Sequence, residues 1–142
     1  MAVRHVNVVE RVFGLSNRCA AGDPEALAEL VGAYHHDALL ESHLGAMPTG
    51  ERGEVALRGY FRRVSAAYRE WQCMLDYMQD YGDRVLALGA LRAVEPGGAE
   101  REEAVGWIFT FRDDKIEAVK AYPSYGDALR AATARGSHVK TP

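Results

Sequence analysis

The stretch HHDALLESHL, residues 35–44, gathers side chains that can bind metals or move protons. If it forms a regular strand, His35, Asp37, Glu41 and His43 share one face, because strand side chains alternate with period two. Imidazoles and carboxylates held on one face can coordinate a metal ion or pass a proton, which makes Glu41 and His43 catalytic candidates. The same residues also suit a solvated loop and strand edge. That is the expectation adopted, so neither a metal nor a cofactor is assigned.

Arg92 is a further chemically pointed residue. It interrupts VLALGALRAV, residues 85–94, which is otherwise apolar on both faces, and a guanidinium in such a strand is costly unless it is paired or reaches water. Either it binds a substrate carboxylate, which makes it a third catalytic candidate, or it lies on the outer face of a sheet or pairs with an acid such as Glu103 on the neighbouring strand. In GWIFTF, residues 106–111, Trp107, Phe109 and Phe111 alternate onto one face. Such an aromatic wall either lines a pocket or packs as core.

The elements that would position these residues follow from hydrophobic period and punctuation. Val6, Val9, Val12, Phe13, Ser16 and Ala20 recur at helical spacing over residues 5–20, and Gly22 ends that helix. Asp23 before Pro24 reads as N-cap and first helical residue of PEALAELVGAY. Residues 35–44 read as an irregular first strand, followed by a loop with Pro48, Gly50 and Gly53. From Glu54 to Trp71 a three-and-four rhythm of Leu57, Tyr60, Phe61, Val64, Tyr68 and Trp71, with arginines mostly opposite, predicts a third helix.

The period then changes to two. Residues 71–80 alternate as a strand, Tyr-Gly-Asp at 81–83 turns the chain, residues 85–94 lie centrally in a sheet, and EPGGAER leads into EEAVGWIFTF in a hairpin. RDDK turns into IEAVKAY, which Pro123 and Ser124 stop before a short helix, YGDALRAATA. Three helices interleaved with one short strand, followed by long strands in an antiparallel meander with the helices on one side, make an α+β arrangement.

With 142 residues, 48% hydrophobic and 26% charged, the chain has the size and composition of one globular domain. A net charge of −3 with scattered basic residues leaves no footprint for nucleic acid or an anionic membrane surface. Cys19 and Cys73 are far apart and lack CxxC spacing, which suits buried thiols in a reducing compartment. The N-terminal MAVRHVNVVERVF carries Arg4, Glu10 and Arg11 within its apolar residues and so lacks the run of a signal peptide or a membrane span. The expected location is the cytoplasm.

AAGDPEALAEL after the first helix, HHDALLES at the first strand, LRGYF in the third helix, YGDRVLALG, and FTFRDDKIEAVKAY near the end occur in an order and spacing that resembles the SnoaL-like polyketide cyclase and ketosteroid isomerase group of the nuclear transport factor 2 type superfamily. The resemblance spans roughly residues 6–130. It implies a cone, cystatin-like, in which a curved antiparallel sheet wraps three helices around an apolar pocket, with a homodimer formed through the outer sheet face. The chain is read as a single domain over residues 1–133, and its end, GSHVKTP, as part of a loose tail over 134–142.

The resemblance places Ser42 where an isomerase keeps its carboxylate base, Trp107 where it keeps a protonated acid, and Phe13 or Leu15 where it keeps an oxyanion-binding tyrosine. Ala121 falls where the cyclases keep an acid or base. Epoxide hydrolases of this fold surround a strand arginine with carboxylates, whereas Arg92 has Ala90 and Val94 as same-face neighbours. The pocket lining implied is Phe13, Leu40, Ser42, Phe61, Trp107, Phe109, Val119 and Ala121, with Glu41 facing outward. The first expectation is a domain that binds a small apolar or amphipathic molecule. The alternatives are a cyclase, isomerase or dehydratase using Glu41, His43 or Arg92, and a structural dimer whose cone is closed by aromatics.

Overall fold

The structure is a computed structural model that describes residues 2–41 and 52–134. Ser42, His43 and all of the expected tail except Ala134 lie outside the described residues. Helix α1 (Ala2–Ala20) buries Val9, Val12, Phe13 and Cys19 on one face. Gly22, at φ 94°, ends the turn after it in a conformation that suits glycine. Asp23 then caps α2 (Pro24–Gly32), its Oδ1 accepting from the backbone N–H of Glu25 and Ala26 at 3.0 and 3.3 Å. Arg18 grips the other carboxylate oxygen from the end of α1. The Arg18 guanidinium and the backbone N–H groups hold the Asp23 carboxyl below the usual carboxylate range.

Strand β1 (Tyr34–Glu41) precedes α3 (Gly53–Ala67), and then β2 (Glu70–Asp80), β3 (Arg84–Val94), β4 (Glu100–Arg112) and β5 (Lys115–Tyr122) form a meander that α4 (Tyr125–Thr133) closes. The sheet order is β1-β5-β4-β3-β2. The meander is antiparallel, as expected, but β1 pairs with β5 in parallel, so the sheet is mixed. Chain travel explains the correction: α3 carries the chain from β1 to the far edge, and the meander returns it alongside β1 in the same direction.

Helix α3 ends at Ala67, with Tyr68 already extended at φ −132° and ψ 142°. Trp71 fits both the helical and the strand period, and its pairing with Ala93 assigns it to β2. Register shifts at Leu75/Tyr77 in β2 and opposite Thr110/Phe111 in β5 mark bulges. Bulges bend a strand and add twist, the local means by which a sheet closes around helices. Gly89 backs the first of them, where a Cβ would sit 1.8 Å from the Met74 carbonyl oxygen.

One core joins α1, α2 and α3 to the inner sheet face through Val85, Ala87, Leu91, Val105, Trp107, Phe109 and Phe111. The helices are not all on that side. Ala128 and Ala132 of α4 pack on Leu86 and Ile108, which alternation directs to the opposite face, and they form a second apolar cluster. Gly106 makes this docking possible, because a Cβ there would lie 2.3 Å from that of Ala128. Among the described residues no helix is long and apolar enough to cross a membrane.

Candidate functional site

The inner sheet face and the helices leave a cavity of about 80 Å³ between them. Helix α1 contributes Val12, Phe13 and Ser16, at i, i+1 and i+4 of one helical face, and α3 contributes Leu57, Tyr60 and Phe61. The strands supply Tyr34, Leu40 and Glu41 from β1, Trp71 and Cys73 from β2, Trp107 and Phe109 from β4, and Val119 and Ala121 from β5. The rings interlock. Phe13 meets Trp107 edge-on at 4.8 Å and Phe109 at a tilt at 5.9 Å, while Tyr60 sits edge-on to Phe61 at 5.1 Å and to Trp71 at 6.4 Å.

Alternation along β4 and β5 explains this convergence, since Trp107 pairs with Ala121 and Phe109 with Val119 on the inner face. Phe13, Leu40, Phe61, Trp107, Phe109, Val119 and Ala121 thus stand around one space. Phe111 belongs to the same wall but not to the cavity, because His5 stacks on it at 4.0 Å. The sequence-based lining lacks Val12, Ser16, Tyr34, Leu57, Tyr60, Trp71 and Cys73. Period-two counting from Leu40 back to Tyr34 was the one available signal for Tyr34.

The polar groups are few. Asn17 clamps the edge strand β2 at the cavity, its Nδ2 donating to the Cys73 carbonyl at 2.9 Å and its Oδ1 accepting from the Cys73 N–H at 2.8 Å. Cys73 is only partly buried as a residue, but its sulfur lies deep, and burial pushes the thiol up to about 12. Tyr34 is 7% exposed. Burial, then the neighbouring Tyr60 and Cys19, pushes its phenol well above the usual tyrosine range, so it is neutral at any ordinary pH.

Glu41 was expected to face outward. It is exposed, as expected, yet it also lines the open end of the cavity. Arg92 stands on the face opposite the cavity, its side chain 45% exposed, with Glu100 as its ion-pair partner at 3.7 Å. Glu103 instead takes Arg101 at 2.8 Å. The parity of β3 decides this: Leu91 and Ala93 are buried inward and Arg92 points away. Arg92 therefore cannot act in the cavity.

Of the residues expected to share one face, His35 and Asp37 come together and Glu41 does not join them. Between Tyr34 and Leu39 the β1 register shifts against β5, and His36 and Asp37 turn to solvent. The ligand-capable atoms of His35, His36 and Asp37 lie within 4.8 Å of one another. They are tied to the end of β4, His35 Nε2 donating to the Arg112 carbonyl at 3.0 Å and Asp37 accepting from the Arg112 guanidinium at 3.3 Å. This cluster is separate from the cavity lining.

Comparison with known proteins agrees with this architecture. Residues 9–119 match the family described as SnoaL-like domain. An NTF2-like protein of unknown function from Burkholderia pseudomallei superposes with a TM-score of 0.73 over 92% of this chain and 98% of that one, at 14% identity. A hypothetical protein with a ketosteroid isomerase-like fold from Catenulispora acidiphila, in complex with trimethylamine, gives 0.68 over 88% and 91% at 15% identity. An uncharacterised cystatin-fold protein from Novosphingobium aromaticivorans gives 0.66 over 83% and 97% at 16% identity. No curated protein matches the chain. The family match covers most of the sequence, and the chain belongs to the SnoaL-like domain family, with the fold of the NTF2-like structures it resembles.

Proposed function

We propose that this domain binds a compact apolar or amphipathic molecule in its cone, without the acid and base residues of the isomerases and cyclases. One observation carries the reading: an open cavity of about 80 Å³ walled almost wholly by aromatic and aliphatic side chains. A cone closed by its own aromatics would leave no such space. The volume is well below the roughly 300–1,000 Å³ of sites for drug-sized ligands and of the order of the roughly 150 Å³ cavity known to take benzene.

Trp107 and Ala121 stand in the lining at positions where the resemblance places acids. Glu41 is the one candidate of the enzymatic alternative that both lies among the described residues and borders the cavity. The free thiols of Cys19 and Cys73 suit a reducing compartment, and the cytoplasm is the location proposed. A homodimer would use the outer sheet face around Ala90, Arg92, Glu102 and Ala104, beyond the cluster that α4 makes with Leu86 and Ile108. Sedimentation equilibrium tests this, and a monomer at high concentration contradicts it.

The binding reading is tested by thermal shift against small ketones, one-ring aromatics, steroids and fatty acids. Trp107→Ala and the cavity-filling Ala121→Leu serve as controls. A ligand that binds only the folded state raises Tm as its concentration passes Kd. Compact uncharged molecules raise Tm in the parent and not in the controls. No shift across the set in a folded protein overturns the reading.

A further inference from the structure

We infer that the Tyr34 hydroxyl is the polar anchor of the cavity and selects a compact, uncharged molecule carrying one hydrogen-bond-accepting oxygen, as in a ketone or an aldehyde. The inference rests on the cavity being a binding site and adds what its ligand must carry.

Tyr34 is more than nine-tenths buried, opens β1 on the inner face and lines the cavity. Among the described residues no group hydrogen-bonds its hydroxyl, yet no fully buried side-chain nitrogen or oxygen there lacks a partner. An unpartnered Tyr34 oxygen that is not sealed must meet open space. Tyr34 is 7% exposed and lines the cavity, which assigns that space to the cavity. Tyr60, the other phenol in the lining, has an interaction of its own. The lining therefore presents a deep, unused O–H donor in an apolar wall.

The donor decides what fits. Filling the cavity with hydrocarbon leaves this hydroxyl desolvated and unmatched, which is costly for a buried polar group. A carbonyl oxygen supplies the missing acceptor. Charge narrows the choice further. Among the described residues the lining holds no lysine, arginine or histidine, and its one acid is Glu41. A carboxylate ligand would enter an apolar site past a like charge, with no cation among the described lining residues to receive it. The acceptor must be neutral.

The test compares cyclohexanone with methylenecyclohexane, which have the same ring and differ in C=O against C=CH2. Both are titrated calorimetrically into the full chain and into Tyr34→Phe. Losing one net hydrogen bond should weaken cyclohexanone about tenfold in the variant and leave methylenecyclohexane within about twofold. The unliganded variant should melt no lower than the parent, because it loses a hydroxyl with no protein partner. A lower Tm would reveal a structural partner and overturn the anchor role. So would equal changes for both probes, or tighter binding of cyclohexanecarboxylate or trimethylammonium than of cyclohexanone. If neither ring compound binds the parent, the binding reading itself falls and this inference falls with it.

Discussion

Phe13 of α1 meets Trp107 of β4 edge-on, with ring centroids 4.8 Å apart and planes at 87°. This contact joins the first helix to the centre of the sheet and forms one wall of the cavity. Trp107 is 6% exposed and Phe13 7%. Truncating either to alanine should cost about 3–5 kcal/mol. A double-mutant cycle by urea unfolding should return a coupling of about 0.5–1.5 kcal/mol for the aromatic pair. Strict additivity would show that the two rings do not act together.

Asn17 replaces a missing strand. β2 is the sheet edge, and the Asn17 amide pairs both backbone groups of Cys73. Asn17→Ala should destabilise by about 2 kcal/mol, since two part-buried backbone groups lose their partner. Hydrogen exchange at the Cys73 amide should accelerate in the variant relative to the β3 amides. Unchanged protection there would contradict the clamp.

Asp23 gives the fold an acid-sensitive joint. Its carboxyl is held low by Arg18 and by the α2 N-terminal amides. A depressed folded pKa contributes stability that is present above the unfolded carboxylate value, near pH 4, and is lost as pH falls through the folded value. Asp23→Asn keeps the cap but loses the ion pair and the titration. The gap in Tm between parent and variant should shrink as pH falls from 6 to about 3. A gap constant with pH would mean that the carboxylate charge contributes nothing.

Gly106 seats α4. A Cβ at this position would overlap that of Ala128 and crowd Leu88 Cδ2 at 3.3 Å. Gly106→Val should displace α4 from Leu86 and Ile108 while leaving the inner core in place. Proteolysis near Leu129 should accelerate, and near-UV circular dichroism from the cavity tryptophans should persist. Collapse of both signals together would show that the two clusters form one cooperative unit.

How much of this was legible depended on whether the signal was local. Trp107, Phe109 and Phe111 alternate plainly, and the Asp23-Pro24 pair announces α2. The parallel pairing of Leu40 with Val119 was not legible, because those residues are far apart in sequence and no local period encodes which strand a short segment joins. The same segment hid the site. Its register shift turns His36 and Asp37 outward while Tyr34 keeps the inner face with Leu40, reversing the chemical emphasis that HHDALLES suggests. Ala128 and Ala132 mark a close-packing helix face but do not say which side of the sheet receives it.

The chain has two tryptophans, Trp71 and Trp107, and both line the cavity. The most direct test of the account is to follow their two indole N–H resonances while cyclohexanone is added to the folded protein. Binding in the cone predicts saturable shifts of both signals with one dissociation constant, abolished by Ala121→Leu. Shifts that are absent, or that rise linearly without saturating, would contradict a ligand site in the cone.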